Sequence, residues 1–213
     1  MSSAAKWLLT AAAWPWLLIS VPVSAVVVDQ ILAVVNGHLI TQNDLQIQST
    51  FGLEFPLLED PGKNVHLQFA VDQVLLLEDA EKFATEKPKE EDIEAQLRKI
   101  EADAGSPDRL NSQLYDLGIS RDELKGWVGR YLLAKTFIEQ RINYFIFVSD
   151  NEIRSYFDEH PDEWQGTPLE ANRNRIYALL FENKRKAKLG EFLLKRRAKA
   201  IIRINPPVDA TAQ

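Results

Sequence analysis

The sequence predicts a mainly α-helical protein with a small antiparallel sheet formed by an N-terminal hairpin and a C-terminal strand. Three observations predict it. Asn36-Gly37 lies between two apolar runs, and both residues accept the positive φ of a type I′ turn, the strongest short-range hairpin signal. Apolar stripes at helical spacing, punctuated by capping residues, fill most of the chain from 41 to 199. One further strand pattern, Ala200 to Ile204, comes last, and a hairpin that is marginal alone gains from a third strand. The chain ends are therefore expected to meet, making 26–213 one domain.

Residues 1–25 read differently. Lys6 is their only charge, an apolar stretch runs from Trp7 to Val23 with Pro15 in its middle, and Val23-Ser24-Ala25 offers the small residues a signal peptidase requires. That order is a secretory signal peptide cleaved near Ala25, with a retained anchor as the alternative. The expected location is the periplasm or another exported compartment, which holds no ATP or NAD pool and offers no nucleic acid.

The hairpin spans 26–40, and the helices of 41–160 follow. Thr41 with Asp44 forms a capping-box-like start to a short helix from Gln42 to about Thr50. The stretch from Phe51 to Gly62 carries Gly52, Pro56 and Pro61 and reads as a loop unusually rich in apolar side chains. From Asn64 a long helix is apolar on more than one face and should be central. Carboxylates mass at the start of the next, from Lys89 to Glu94, near the positive end of its dipole. Ser106-Pro107 opens a short helix that Gly118 closes, and Ser120 with Glu123 caps the longest stripe: Leu124, Trp127, Val128, Tyr131, Ala134, Ile138, Ile142 and Phe145. Ser149 caps one more helix. After a Pro161–Pro168 linker, residues 168–199 form a basic helix with a stripe of Ile176, Leu180, Ala187 and Leu194, and 200–204 is the returning strand. Eleven Lys or Arg fall between Arg173 and Arg203, against Glu182 and Glu191. The acidic segment Glu78–Asp103 is their natural complement within the molecule; weak contact with anionic membrane is the competing reading.

Composition excludes much chemistry. Cys is absent, so disulfides, thiolate metal sites and Cys nucleophiles fall away. With 46% hydrophobic and 26% charged residues and a net charge of -6, the chain is neither disordered nor dominated by nucleic-acid binding. Nucleotide-binding loops, hydrolase elbows and zinc-protease motifs are missing. His38, His66 and His160 are too scattered for a metal cluster, and Glu90-Glu91 and Asp158-Glu159 read as solvated or dipole-complementing pairs. No catalytic residue, metal or cofactor is expected.

The opening from Val28 through Val35-Asn36-Gly37-His38 to Thr41-Gln42-Asn43-Asp44-Leu45 resembles the N-terminal module of SurA-type periplasmic chaperones and foldases. Ser149-Asp150-Asn151-Glu152-Ile153 through Tyr156-Phe157, Glu159-His160-Pro161 and Trp164 looks like that family's junction, and Ala200 to Ile204 like its returning strand. The family commonly inserts parvulin prolyl isomerase domains after the junction. Between His160 and Asn205 there is no room for one, so the resemblance implies a chaperone without catalysis. The implied partners are apolar segments of unfolded or nascent envelope and outer-membrane proteins, held in a groove between helices. Expected wall residues are Phe51, Leu53, Phe55, Leu57 and Leu58 of the loop, forming an adaptable lip, with Tyr115, Trp127, Tyr131 and Phe157; each of these also fits a core, and for Trp127 and Tyr131 the core is the better reading. The alternative is a structural or adaptor subunit, or a homodimer module, using the same face for one fixed partner.

Overall fold

Strands β1 (Ile31–Val35) and β2 (His38–Thr41) pair antiparallel in a computed structural model that describes residues 29–55, 64–83, 86–164 and 166–205. At their turn Asn36 and Gly37 take φ of 49° and 94°, as the type I′ signal requires. Strand β3 (Ile202–Ile204) pairs antiparallel with the other side of β1, giving the order β2-β1-β3. Asn36 N donates to Ile201 O at 2.9 Å, and Asn205 N donates to Leu32 O at 2.8 Å. The first and last described strands thus share one sheet.

Helix α1 (Gln42–Thr50) begins at the expected capping box: Asp44 N donates to Thr41 Oγ1 and Thr41 N to the Asp44 carboxylate. Helix α2 (Val65–Phe83) is central. Leu67, Ala70, Val71 and Leu75 close over the inner sheet face of Ala33, Val35 and Ile40, while Leu76 and Ala80 face α5 (Arg121–Arg141) and the end of α7 (Leu169–Arg197). Helices α3 (Glu90–Ala104) and α4 (Pro107–Asp116) pack with α1 and α5 around Leu97, Ile100, Leu110, Leu114, Leu124 and Val128. Capping boxes at Ser120 and Ser149 start α5 and α6 (Asp150–Glu159).

Helix α7 changes partner along its length. Its N-terminal half packs Ile176 against Val148, Ile153 and Trp164 around α6, while its C-terminal half packs Leu189 and Leu193 against Ala134, Phe137 and Ile138 of α5 and Leu76 of α2. The expected single stripe holds only at Ile176 and Leu180; Leu194 is 66% exposed. Two partners on different sides require two buried faces.

The basic helix is in part neutralised inside the molecule. Arg196 Nε lies 3.0 Å from the Asp79 carboxylate and Arg197 Nε donates to fully buried Asp72 at 2.6 Å, with further bonds from Arg197 to Gln68. Burial pushes the Asp72 pKa up, and Arg197 opposes it. The α3 carboxylates turn elsewhere: Glu90 and Glu94 pair with Lys125, and Glu101 with Arg121.

The loop after α1 departs from expectation. Phe51 N donates to Ile47 O and Leu53 N to Gln48 O, so the chain curls back and seats Phe51 and Leu53 in the α1/α3/α4/α5 core. Phe55 is 8% exposed and stacks on Tyr131 with ring centroids 4.8 Å apart. These three side chains are core and not an open lip, because burying them satisfies both the apolar surface and the backbone at the end of α1. Leu57 and Leu58 lie outside the described residues.

Candidate functional site

Four elements converge on an open groove. The β2 edge brings His38, Leu39 and Ile40; α1, fixed in direction by the Thr41 cap, brings Asp44 and Gln48. Helix α2 adds Ala70, Gln73, Val74, Leu77, Glu78 and Glu81, and α5 adds Trp127 and Arg130, around a volume of about 330 Å³. The spacing of 70, 73, 74 and 77 places one face of α2 along the floor. Leu39 is 56% exposed at the rim, while Val74, Leu77 and Trp127 are half-buried walls.

The floor holds the unusual groups. Gln48 and Gln73 are buried, and the side-chain carbonyl oxygen of each lacks a hydrogen-bond partner. A buried amide left unpaired carries a desolvation cost of about 1–3 kcal/mol. Two of the carboxylates around them are already engaged: Asp44 caps α1, and both Glu78 oxygens accept from Asn36 Nδ2. The Arg130 guanidinium lies 4.2 Å from the Trp127 ring centroid. Partial desolvation lowers its pKa, opposed by the carboxylates of Asp44 and Glu81. Such a groove can take an apolar side chain against Leu39, Val74, Leu77 and Trp127 and a hydrogen-bond donor, such as a backbone N–H, at its floor.

The expected wall residues do not share one groove. Among those that are described, Trp127 alone lines this one. Phe55 and Tyr131 edge a second hollow of about 290 Å³ with Lys135, Ile138, Asn143 and Arg185. Phe157 stacks on Trp164, whose indole Nε1 donates to Phe157 O at 3.1 Å, beside a cleft with Pro161 and Pro168. Phe51 edges a hollow against α3 and α4, and Tyr115 stands 86% exposed on α4.

Sequence reasoning missed Leu39, Val74, Leu77 and both glutamines as site residues. Gln73 carried a signal, since it interrupts the Ala70, Val74, Leu77 face at i, i+3 spacing. The histidines stay apart: His38 is near Glu78, His66 is paired with Glu54, and His160 stacks on Tyr156. No group of three His, Asp or Glu side chains is placed to hold a metal ion among the described residues. No family model matches this chain, and a search of curated proteins finds no relative.

Proposed function

We propose that the chain is an exported, ATP-independent, chaperone-like protein that holds apolar segments of unfolded envelope proteins, outer-membrane proteins among them, without isomerase activity. The observation that carries this reading is the β2/α1/α2/α5 groove, where the side-chain carbonyl oxygens of two buried glutamines lack partners. An extended polypeptide offers an N–H donor and a C=O acceptor at every residue, which is what an amide side chain complements irrespective of sequence. Apolar walls add affinity without selecting one side chain, the behaviour a holdase needs. The resemblance of the hairpin and junction to SurA-type chaperones points the same way. Helix α7 and strand β3 take up the stretch in which that family carries an isomerase domain.

The test is suppression of aggregation of several unrelated unfolded proteins. Leu39→Ser at the exposed rim and Gln73→Leu at the floor should each weaken holding several-fold while the unfolding midpoint is retained. A protein that protects no client, or folded variants that protect as well as the parent, refutes the proposal. A proline cis/trans peptide assay should show no acceleration above the buffer rate.

A further inference from the structure

The segment joining α5 to α6 runs Ile142-Asn143-Tyr144-Phe145-Ile146-Phe147-Val148. Ile142 and Val148 are buried at its two ends and Ile146 packs on the core, whereas Tyr144, Phe145 and Phe147 are 80%, 61% and 76% exposed. The sequence pattern placed Phe145 on the buried stripe of α5. Instead the helix ends at Arg141, and a 3-10 turn over Asn143–Phe145 swings the ring outward. The rings line neither the groove nor the hollows described above.

This backbone is held in place from α7. Lys184 Nζ donates to Phe147 O at 2.6 Å, and Lys188 Nζ donates to Phe145 O at 3.4 Å while lying 5.5 Å from the Phe145 ring centroid. Tyr177, Phe181, Lys184 and Lys188 are spaced four, three and four apart, so they form one stripe of α7 beside the connector. Tyr177 and Phe181 stack with centroids 6.2 Å apart. Nearby carboxylates are spoken for: Glu152 pairs with Lys184, Asp150 with Arg173 and Glu182 with Arg185. Lys188 makes no ion pair among the described residues.

We propose that the Tyr144/Phe145/Phe147 connector and the adjoining Lys188 of α7 form a docking patch for an anionic bilayer surface. Rings that project from a fixed backbone suit a membrane interface: Tyr144 can keep its hydroxyl wet while Phe145 and Phe147 enter the acyl boundary. Lys184 is neutralised by Glu152 and fixes the backbone, whereas Lys188, beside the Phe145 ring, carries a charge that anionic headgroups attract. A concave apolar site would favour a polypeptide; a projecting, basic, aromatic one favours lipid. Attachment at this patch leaves the groove on β2, α1, α2 and α5 to other ligands.

The experiment is flotation of protein, recovered from expression of the full-length chain, with vesicles of equimolar phosphatidylglycerol and phosphatidylcholine or of phosphatidylcholine alone. The anionic vesicles should bind at least about tenfold more protein at low salt, and raised salt should erase most of the difference. The Tyr144→Ser/Phe147→Ser double variant and Lys188→Glu should each cut anionic-vesicle binding about tenfold or more with the unfolding midpoint unchanged, since these side chains are exposed. Absence of binding to anionic vesicles, equal binding to both vesicle types, or folded variants that bind like the parent would overturn the proposal. So would loss of client protection by the double variant with vesicle binding intact, which would make the patch a protein site.

Discussion

Phe55→Ala measures whether the segment after α1 belongs to the core. Phe55 is 8% exposed and packs with Leu76, Ala80, Ala134 and Ile138, and its ring stacks on Tyr131 at an interplanar angle of 17°. Removing a buried Phe ring costs about 3–5 kcal/mol from lost transfer energy and the cavity left behind. One side of this ring already borders a hollow, so the surroundings lose fewer contacts and the lower end, about 3 kcal/mol, is expected. The stack with Tyr131 accounts for about 0.5–1.5 kcal/mol of that, and a double-mutant cycle with Tyr131→Ala should return a coupling of that size. In urea, with a slope of about 2 kcal/mol/M, the midpoint should fall by about 1.5 M. A midpoint within about 0.25 M of the parent would refute the argument. It would mean that the segment leaves the core at little cost and is available as a lip.

Three further outcomes follow from the structure. Ending the chain after Ala200 removes β3 and the bonds from Asn36 N to Ile201 O and from Asn205 N to Leu32 O, and it uncovers Val35; thermal unfolding should shift down by about 5 °C or more, whereas a dispensable tail would leave it unchanged. Glu152, held at a pKa of about 2 by Lys184 and the Ser149 cap, contributes stability that is present above its ordinary pKa of 4.5 and lost as pH falls towards 2. An NMR titration of its carboxyl should give that low value, and Lys184→Met should move it towards the ordinary one; a carboxyl that titrates normally in the parent contradicts the geometry. Asp72 has the opposite sign. Its raised folded pKa means that the native state binds the extra proton, so its contribution falls as pH rises from the ordinary value through the raised one. Asp72→Asn should remove that component from the stability-versus-pH curve, and an unchanged curve would refute the raised pKa.

What was legible in the sequence is what local chemistry decides. Asn36-Gly37 dictates a turn whatever surrounds it, and Thr41, Ser106, Ser120 and Ser149 start their helices because a side-chain oxygen meets orphan backbone N–H groups nearby. The return of β3 followed from the need of a two-stranded hairpin for a partner. Burial in the loop after α1 was not legible: Gly52 and Pro56 announce irregular backbone, but nothing local says that the curl of Leu53 back to Gln48 O points Phe51 and Leu53 inward. The α7 stripe failed for a different reason. A periodic pattern predicts one buried face, and this helix has two successive neighbours. Phe145 was misplaced because the spacing of α5 continues past the residue where its backbone stops being helical. Trp127 fitted the core better than a wall by its place on the α5 stripe and stands half-buried at the groove, and the place of Gln48 and Gln73 depends on neighbours that only the packing supplies.

The groove and the closing strand are joined by one polar chain. Asn36 Nδ2 donates to both Glu78 oxygens, and its Oδ1 accepts from Ile201 N at 2.8 Å. Glu78 lines the groove and lies 3.6 Å from Arg196 at the end of α7. The hairpin turn, the α2 wall, the last turn of α7 and the approach to β3 therefore share a few side chains. Losing β3 removes the Ile201 partner of Asn36, and an Asn36 side chain freed from its strand no longer fixes the Glu78 carboxylate. Glu78 is thus tied through Asn36 to the segment that leads into β3, so truncation after Ala200 should loosen this wall residue of the groove as well as the sheet.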